Sequence, residues 1–194
     1  MNLPNKLTLL RVLLIPFFLL FMYIDIPFHY GLALILFAAA SITDALDGKI
    51  ARKHNLVTNF GKFLDPLADK VLVISALTVF VENKDVRMSA IPLIIIIARE
   101  FMVSGLRLLA ADSGVVVAAG IWGKLKTAFT MVTIVGILFW LCIYHDFDLG
   151  ISCSVKDAVE KVIEPVLIWI STALTIISGA IYLKGYWHLI DSDK

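Results

Sequence analysis

The sequence predicts an all-α integral membrane protein, a six-transmembrane-helix bundle with both termini in the cytoplasm. Three observations lead there. Of 194 residues, 60% are hydrophobic and only 17% charged, whereas a soluble domain keeps roughly a quarter of its residues charged. Mean hydropathy is +0.91, and the apolar residues fall in runs of about 20, the length that a helix needs to cross the hydrocarbon core. Lysine and arginine, finally, are shared unequally between the two sets of connections.

The apolar segments cover about 7–24, 28–47, 63–82, 88–110, 122–144 and 164–183. The first follows Lys6 and contains Arg11, as a signal peptide could, but residues 12–24 offer no small-residue cleavage site, so a retained helix is expected. The second ends in Asp44 and Asp47. The third opens with Asp65, Pro66 and Asp69, and Pro66 is expected early in that helix, where a missing N–H is tolerated. The fourth carries Arg99, Glu100 and Arg107, the fifth begins with Lys124 and Lys126, and the sixth has Glu164 at its start as its one charged residue. Six crossings put both termini on one side. That side, with the helix ends opening onto it, holds Lys6, Arg11, Lys49, Arg52, Lys53, Lys62, Lys70, Arg99, Arg107, Lys124, Lys126, Lys184 and Lys194. The other side holds Lys84, Arg87, Lys156 and Lys161. The positive-inside rule makes the richer side cytoplasmic. The connection 145–163, with Asp146, Asp148, Asp157 and Glu160, is expected to be a solvated external segment. No internal repeat or separate soluble domain is visible, and one membrane-embedded domain over 1–194 is expected.

A net charge of +1 gives no reason to expect nucleic acid as a partner. Cys142 and Cys153 lack metal-site spacing, and so do His29, His54, His145 and His188. Trp122, Trp140, Trp169 and Trp187 include members near segment ends, as in an interfacial aromatic belt.

Chemistry concentrates in 41–70. Asp44 and Asp47 are three apart at the end of the second segment, and Asp65 and Asp69 are four apart at the start of the third, so each pair shares a helix face. An acid in a membrane span costs at least ~2.5 kcal/mol, and four converging acids repel one another unless a cation lies between them. Hard divalent ions such as Mg²⁺ or Mn²⁺ take oxygen ligands, and Mg²⁺ commonly combines carboxylates with substrate phosphates. The spacing therefore points to one or two such ions presenting a phosphate or diphosphate. Gly48 and Gly61 leave room for close backbone approach of a ligand, and Arg52 can pair with a phosphate or with one of the acids.

Asp44, Asp47-Gly48, Ala51-Arg52, Gly61, Asp65 and Asp69 reproduce D-x2-D-G-x2-A-R-x8-G-x3-D-x3-D, and with it the chain resembles the CDP-alcohol phosphotransferase family. The resemblance implies that Asp44, Asp47 and Asp65 are ligands of a two-metal centre holding the CDP diphosphate. Asp69 would be both metal-associated and the general base that deprotonates the acceptor hydroxyl. Gly48, Ala51, Arg52 and Gly61 would receive the cytidine and its phosphates. A homodimer in the cell membrane is also implied, with its site open to the cytoplasm and the inner leaflet.

Arg11, Arg99, Arg107, Lys124 and Lys126 are expected near the same cytoplasmic mouth. A phosphorylated acceptor would use them, an uncharged one would not; positive-inside topology and pairing with Glu100 are the alternative account. Pro4-Asn5-Lys6-Leu7-Thr8-Leu9-Leu10-Arg11, Ala98-Arg99-Glu100, Gly105-Leu106-Arg107 and Gly123-Lys124-Leu125-Lys126-Thr127 resemble the bacterial phosphatidylglycerophosphate synthases, a branch of that family. CDP-diacylglycerol and glycerol 3-phosphate are the substrates so implied. Asn5 and Thr8 would line the nucleotide or acceptor pocket, or cap the helix. Competing readings are the same family with inositol phosphate or serine as acceptor, a prenyltransferase, and a cation transporter using the acids. A prenyltransferase usually has more helices and widely separated acid motifs; a transporter would favour midplane acids and repeat halves.

Overall fold

The computed structural model describes residues 2–53, 59–112, 120–147 and 149–187; the side chains of 3–4, 44–53, 59–60, 62–63 and 112 lie outside the described set. The described residues form helices α1 (Leu3–Tyr23), α2 (His29–Lys53), α3 (Asn59–Glu82), α4 (Ala90–Asp112), α5 (Ile121–Leu141), α6 (Cys153–Ala158) and α7 (Glu164–Tyr186). A π-helical turn, Cys142–Asp146, extends α5, and another, Val159–Ile163, joins α6 to α7. No strand occurs among the described residues. Each expected apolar segment is a helix, and most of these run beyond their apolar cores.

Three of these helical stretches are long and apolar enough to cross a membrane: Asn5–Tyr23, Ile121–Asp146 and Cys153–Tyr186, with His29–Thr43 a shorter apolar helix. Charge keeps α3 and α4 out of that set. The first carries Lys62, Asp65, Asp69, Lys70 and Glu82, and the second Arg99, Glu100, Arg107 and Asp112.

Residues 145–163, expected as a solvated connection, are largely exposed but helical from Cys153: α6 and the second π turn continue into α7 as one 34-residue stretch, about 51 Å long at 1.5 Å per residue. One expectation is corrected. Pro66 is not in the first turn of its helix but well inside α3. The helix starts earlier than the apolar pattern, at Asn59, so Pro66 removes an interior hydrogen bond just between Asp65 and Asp69.

The chain divides into two compact units. The first comprises Met1–Val86 with Ile134–Lys156, and the second Arg87–Thr133 with Asp157–Lys194. In the first, α1 packs on α2 and α3. Phe18 and Phe37 meet with ring centroids 5.7 Å apart, and Ala68, Leu72, Ala76 and Phe80 form the buried stripe of α3, at the spacing of one helix face. The start of α2 is held from another helix: Asp146 Oδ2 accepts the Gly31 N–H at 2.6 Å, satisfying one of the donors that a helix N-terminus leaves open. A side chain at Gly31 would press on Cys142 Sγ and Asp146 Oδ2, 3.2 and 3.3 Å from its Cβ position. Phe28, just before α2, adopts φ 62°, and its ring packs against Phe147.

In the second unit α4 packs on α7. α7 buries small and polar residues there, Ser171, Thr172, Thr175, Ser178 and Gly179, which allow close approach of helices where lipid gives no hydrophobic drive. Thr130 and Ser171 hydroxyls meet at 2.6 Å. Thr172 and Thr175 hydroxyls donate to carbonyls one turn back, so these hydroxyls are not left unsatisfied in an apolar medium.

Candidate active site

In the first unit, α1 lays two polar side chains along the acid face of α3. Thr8 Oγ1 donates to Asp65 Oδ1 at 2.5 Å, and Arg11 Nη1 donates to Asp69 Oδ1 at 2.7 Å. Donors three apart on one helix meet acceptors four apart on the other, because both spacings describe one helix face. Arg11 has 0% side-chain exposure while Asp69 has 46%. The guanidinium thus lies beneath the carboxylate, which opens outward. Asn5, one turn before Thr8, is buried, as is Gly61 on α3.

The remaining motif residues, Asp44, Asp47, Gly48, Ala51 and Arg52, belong to the last turns of α2, and their side chains lie outside the described residues. Among the described residues no group of three His, Cys, Asp or Glu is placed to hold a metal. The described donors nonetheless fit a hard divalent ion. They are two carboxylates on one face, with all-oxygen chemistry, and the Asp69 carboxylate is partly exposed.

The second unit gathers Arg99, Arg107 and Lys126, three of the other expected basic residues, into one polar network. Glu100 Oε1 accepts from Arg99 Nη1 at 2.8 Å and from Lys126 Nζ at 2.5 Å. Arg99 Nη2 donates to Ser178 Oγ at 2.6 Å. Arg107 Nη2 donates to the Tyr182 hydroxyl at 3.2 Å, and the Gly120 N–H donates to the same oxygen at 2.9 Å. Lys126 is buried, whereas Lys124 and Arg107 are exposed. Arg99 and Lys126 share a single carboxylate, so pairing with Glu100 accounts for part of this charge but not for Arg107. Ser178 and Tyr182 carried no signal in the sequence: a serine and a tyrosine in an apolar helix read as packing and interfacial residues.

A family model described as CDP-alcohol phosphatidyltransferase matches residues 1–177. A Bacillus subtilis (strain 168) protein named CDP-diacylglycerol–glycerol-3-phosphate 3-phosphatidyltransferase is 39% identical over 100% of this chain and 99% of its own length. A Rickettsia bellii protein of that name is 43% identical over 95% of this chain and 94% of its own. An Escherichia coli (strain K12) one is 41% identical over 71% of this chain and 77% of its own.

Proposed function

The chain belongs to the CDP-alcohol phosphatidyltransferase family, and from that membership we propose that it transfers the phosphatidyl group of CDP-diacylglycerol to glycerol 3-phosphate, giving phosphatidylglycerophosphate and CMP. The observation that carries this reading is end-to-end likeness. Relatives bearing the name of that activity align over 100% and 95% of the chain.

The reaction is a substitution at phosphorus. An acceptor hydroxyl oxygen bonds to the phosphatidyl phosphorus, the bond from that phosphorus to the CMP oxygen breaks, and the hydroxyl proton passes to a base. Asp69 takes that proton; its outward-facing carboxylate and buried Arg11 partner support the role. Thr8 orients Asp65 in the same way. Asp44, Asp47, Asp65 and Asp69 would hold one or two divalent ions, Mg²⁺ or Mn²⁺, whose chemistry there would be to offset negative charge on the diphosphate. Asn5, Thr8, Gly48, Ala51, Arg52 and Gly61 receive the CDP moiety. Acceptor-phosphate recognition is assigned to Arg99, Arg107, Lys124 and Lys126, where arginine forks and lysine charges suit a phosphate dianion. Arg11, expected among these from sequence, is given the task of holding Asp69 instead.

The same proposal has six membrane crossings, because α2, α3 and α4 have 25, 24 and 23 residues, enough for the hydrocarbon core. It keeps both termini and the site cytoplasmic in the plasma membrane, on the bias of lysine and arginine, and it makes the protein a homodimer. One membrane domain over 1–194 accords with a family model that runs through both compact units. Acceptor competition tests the substrate: purified protein in detergent is given CDP-diacylglycerol with glycerol 3-phosphate, inositol phosphate or serine. Efficient CMP release with glycerol 3-phosphate alone is expected, and a preference for another alcohol overturns the assignment.

A further inference from the structure

Three stretches singled out in the sequence, around Arg99, Arg107 and Gly123-Lys124-Leu125-Lys126, meet at one residue that sequence did not single out. Tyr182 on α7 is 4% exposed. The guanidinium carbons of Arg99 and Arg107 both lie over its ring, each 5.6 Å from the centroid. Its hydroxyl accepts from Arg107 Nη2 at 3.2 Å and from the Gly120 N–H at 2.9 Å. A Cβ at Gly123 would approach that hydroxyl to 3.3 Å, and a Cβ at Gly179 would approach Arg99 Cγ to 3.0 Å. Glycine at 123 leaves room for the tyrosine, and glycine at 179 lets the Arg99 stem pass α7.

Two guanidinium groups against one aromatic ring need a reason. Like charges repel, and the ring quadrupole offsets only part of that. The cost falls if an anion joins them, and planar donor forks fixed in advance suit a phosphate monoester. Arg99 is held at Nη1 by Glu100 and at Nη2 by Ser178, and its buried Nε meets no acceptor among the described residues. We propose that Tyr182 is the positioning residue of the acceptor site: its ring and hydroxyl hold Arg99 and Arg107 in the geometry that selects a phosphorylated acceptor. This rests on the reading of those arginines as acceptor-phosphate residues.

Separate KM values for glycerol 3-phosphate and for CDP-diacylglycerol test it, in Tyr182→Phe, Gly123→Ala and Arg107→Gln. Tyr182→Phe keeps the ring and removes the hydroxyl. It is expected to raise KM for glycerol 3-phosphate roughly tenfold, the scale of one hydrogen bond to a charged group. KM for CDP-diacylglycerol should stay within about twofold, a split that general loss of structure does not produce. Gly123→Ala displaces the same hydroxyl without touching Tyr182 and should move the same constant in the same direction, deciding the matter if the Phe variant fails to fold. A raised KM in Arg107→Gln with none in Tyr182→Phe or Gly123→Ala overturns the role of Tyr182 and leaves the acceptor site standing. An unchanged KM in Arg107→Gln overturns the acceptor-site reading itself. Equal shifts in both KM values make Tyr182 a packing residue and contradict the proposal.

Discussion

Arg11 is wholly buried, yet its guanidinium bonds at 2.7 Å to Asp69, whose side chain is 46% exposed. A buried cation beneath an open carboxylate fixes the orientation of that carboxylate and leaves its outer edge to a ligand. Arg11→Gln removes the charge and keeps a donor. Because Asp69 is screened by solvent, the stability cost should be modest, about 1 kcal/mol. Turnover should fall much further, on the order of a hundredfold, if orientation of the base is what Arg11 supplies. Melting temperature and CMP release measured together separate the two effects; equal losses in both would make Arg11 a structural residue only.

Thr8 offers a gentler probe of the neighbouring contact. Thr8→Val preserves volume but removes the donor to Asp65, leaving a carboxylate short of one hydrogen bond, at a cost of about 1–3 kcal/mol. A several-fold drop in kcat/KM for CDP-diacylglycerol is expected, with Thr8→Ser restoring most of it. Indifference to both substitutions would remove Thr8 from the site.

Chelation should abolish activity, and Mg²⁺ or Mn²⁺ should restore it, because four acids converging as proposed would repel one another without a cation. In Asp65→Asn the half-saturating metal concentration should rise by at least about tenfold, on the scale reported by a lost ligand contact. Full activity in excess chelator would exclude the metal centre.

Glu100 takes two cations on one oxygen, Arg99 and Lys126, and all three side chains are at most 18% exposed. Glu100→Gln leaves both cations without their counter-charge and should cost about 3–5 kcal/mol. Adding Lys126→Met to Glu100→Gln removes one uncompensated charge, so the double variant should melt above the single Glu100→Gln variant. Additive losses would show that the three do not act as a network.

The helices were largely legible in the sequence because lipid demands long apolar runs, and acids three and four apart declare a shared face without any tertiary knowledge. What the acids touch was not legible. Thr8 and Asp65 are 57 residues apart and Arg11 and Asp69 are 58, and no spacing rule connects such partners. From sequence Arg11 therefore reads as one of the cytoplasmic cations available to an acceptor phosphate, not as the partner of Asp69. Pro66 was misplaced because apolarity marks where lipid contact begins, not where the helix does: α3 has already started at Asn59. In the 145–163 connection the acids signal solvent, and its residues are largely exposed, but they do not announce the helix that begins at Cys153. Tyr182 was invisible because a tyrosine near the end of an apolar helix resembles an interfacial anchor. Only the packing of α4 against α7 reveals the guanidinium groups over its ring.

The most direct measurement of the central claim is CMP release by purified protein in detergent, with CDP-diacylglycerol and Mg²⁺, in the presence and absence of glycerol 3-phosphate, for the native chain and for Asp69→Asn. Release that requires glycerol 3-phosphate and disappears in Asp69→Asn is the predicted result. Release that needs no glycerol 3-phosphate, or that survives in Asp69→Asn, would contradict it.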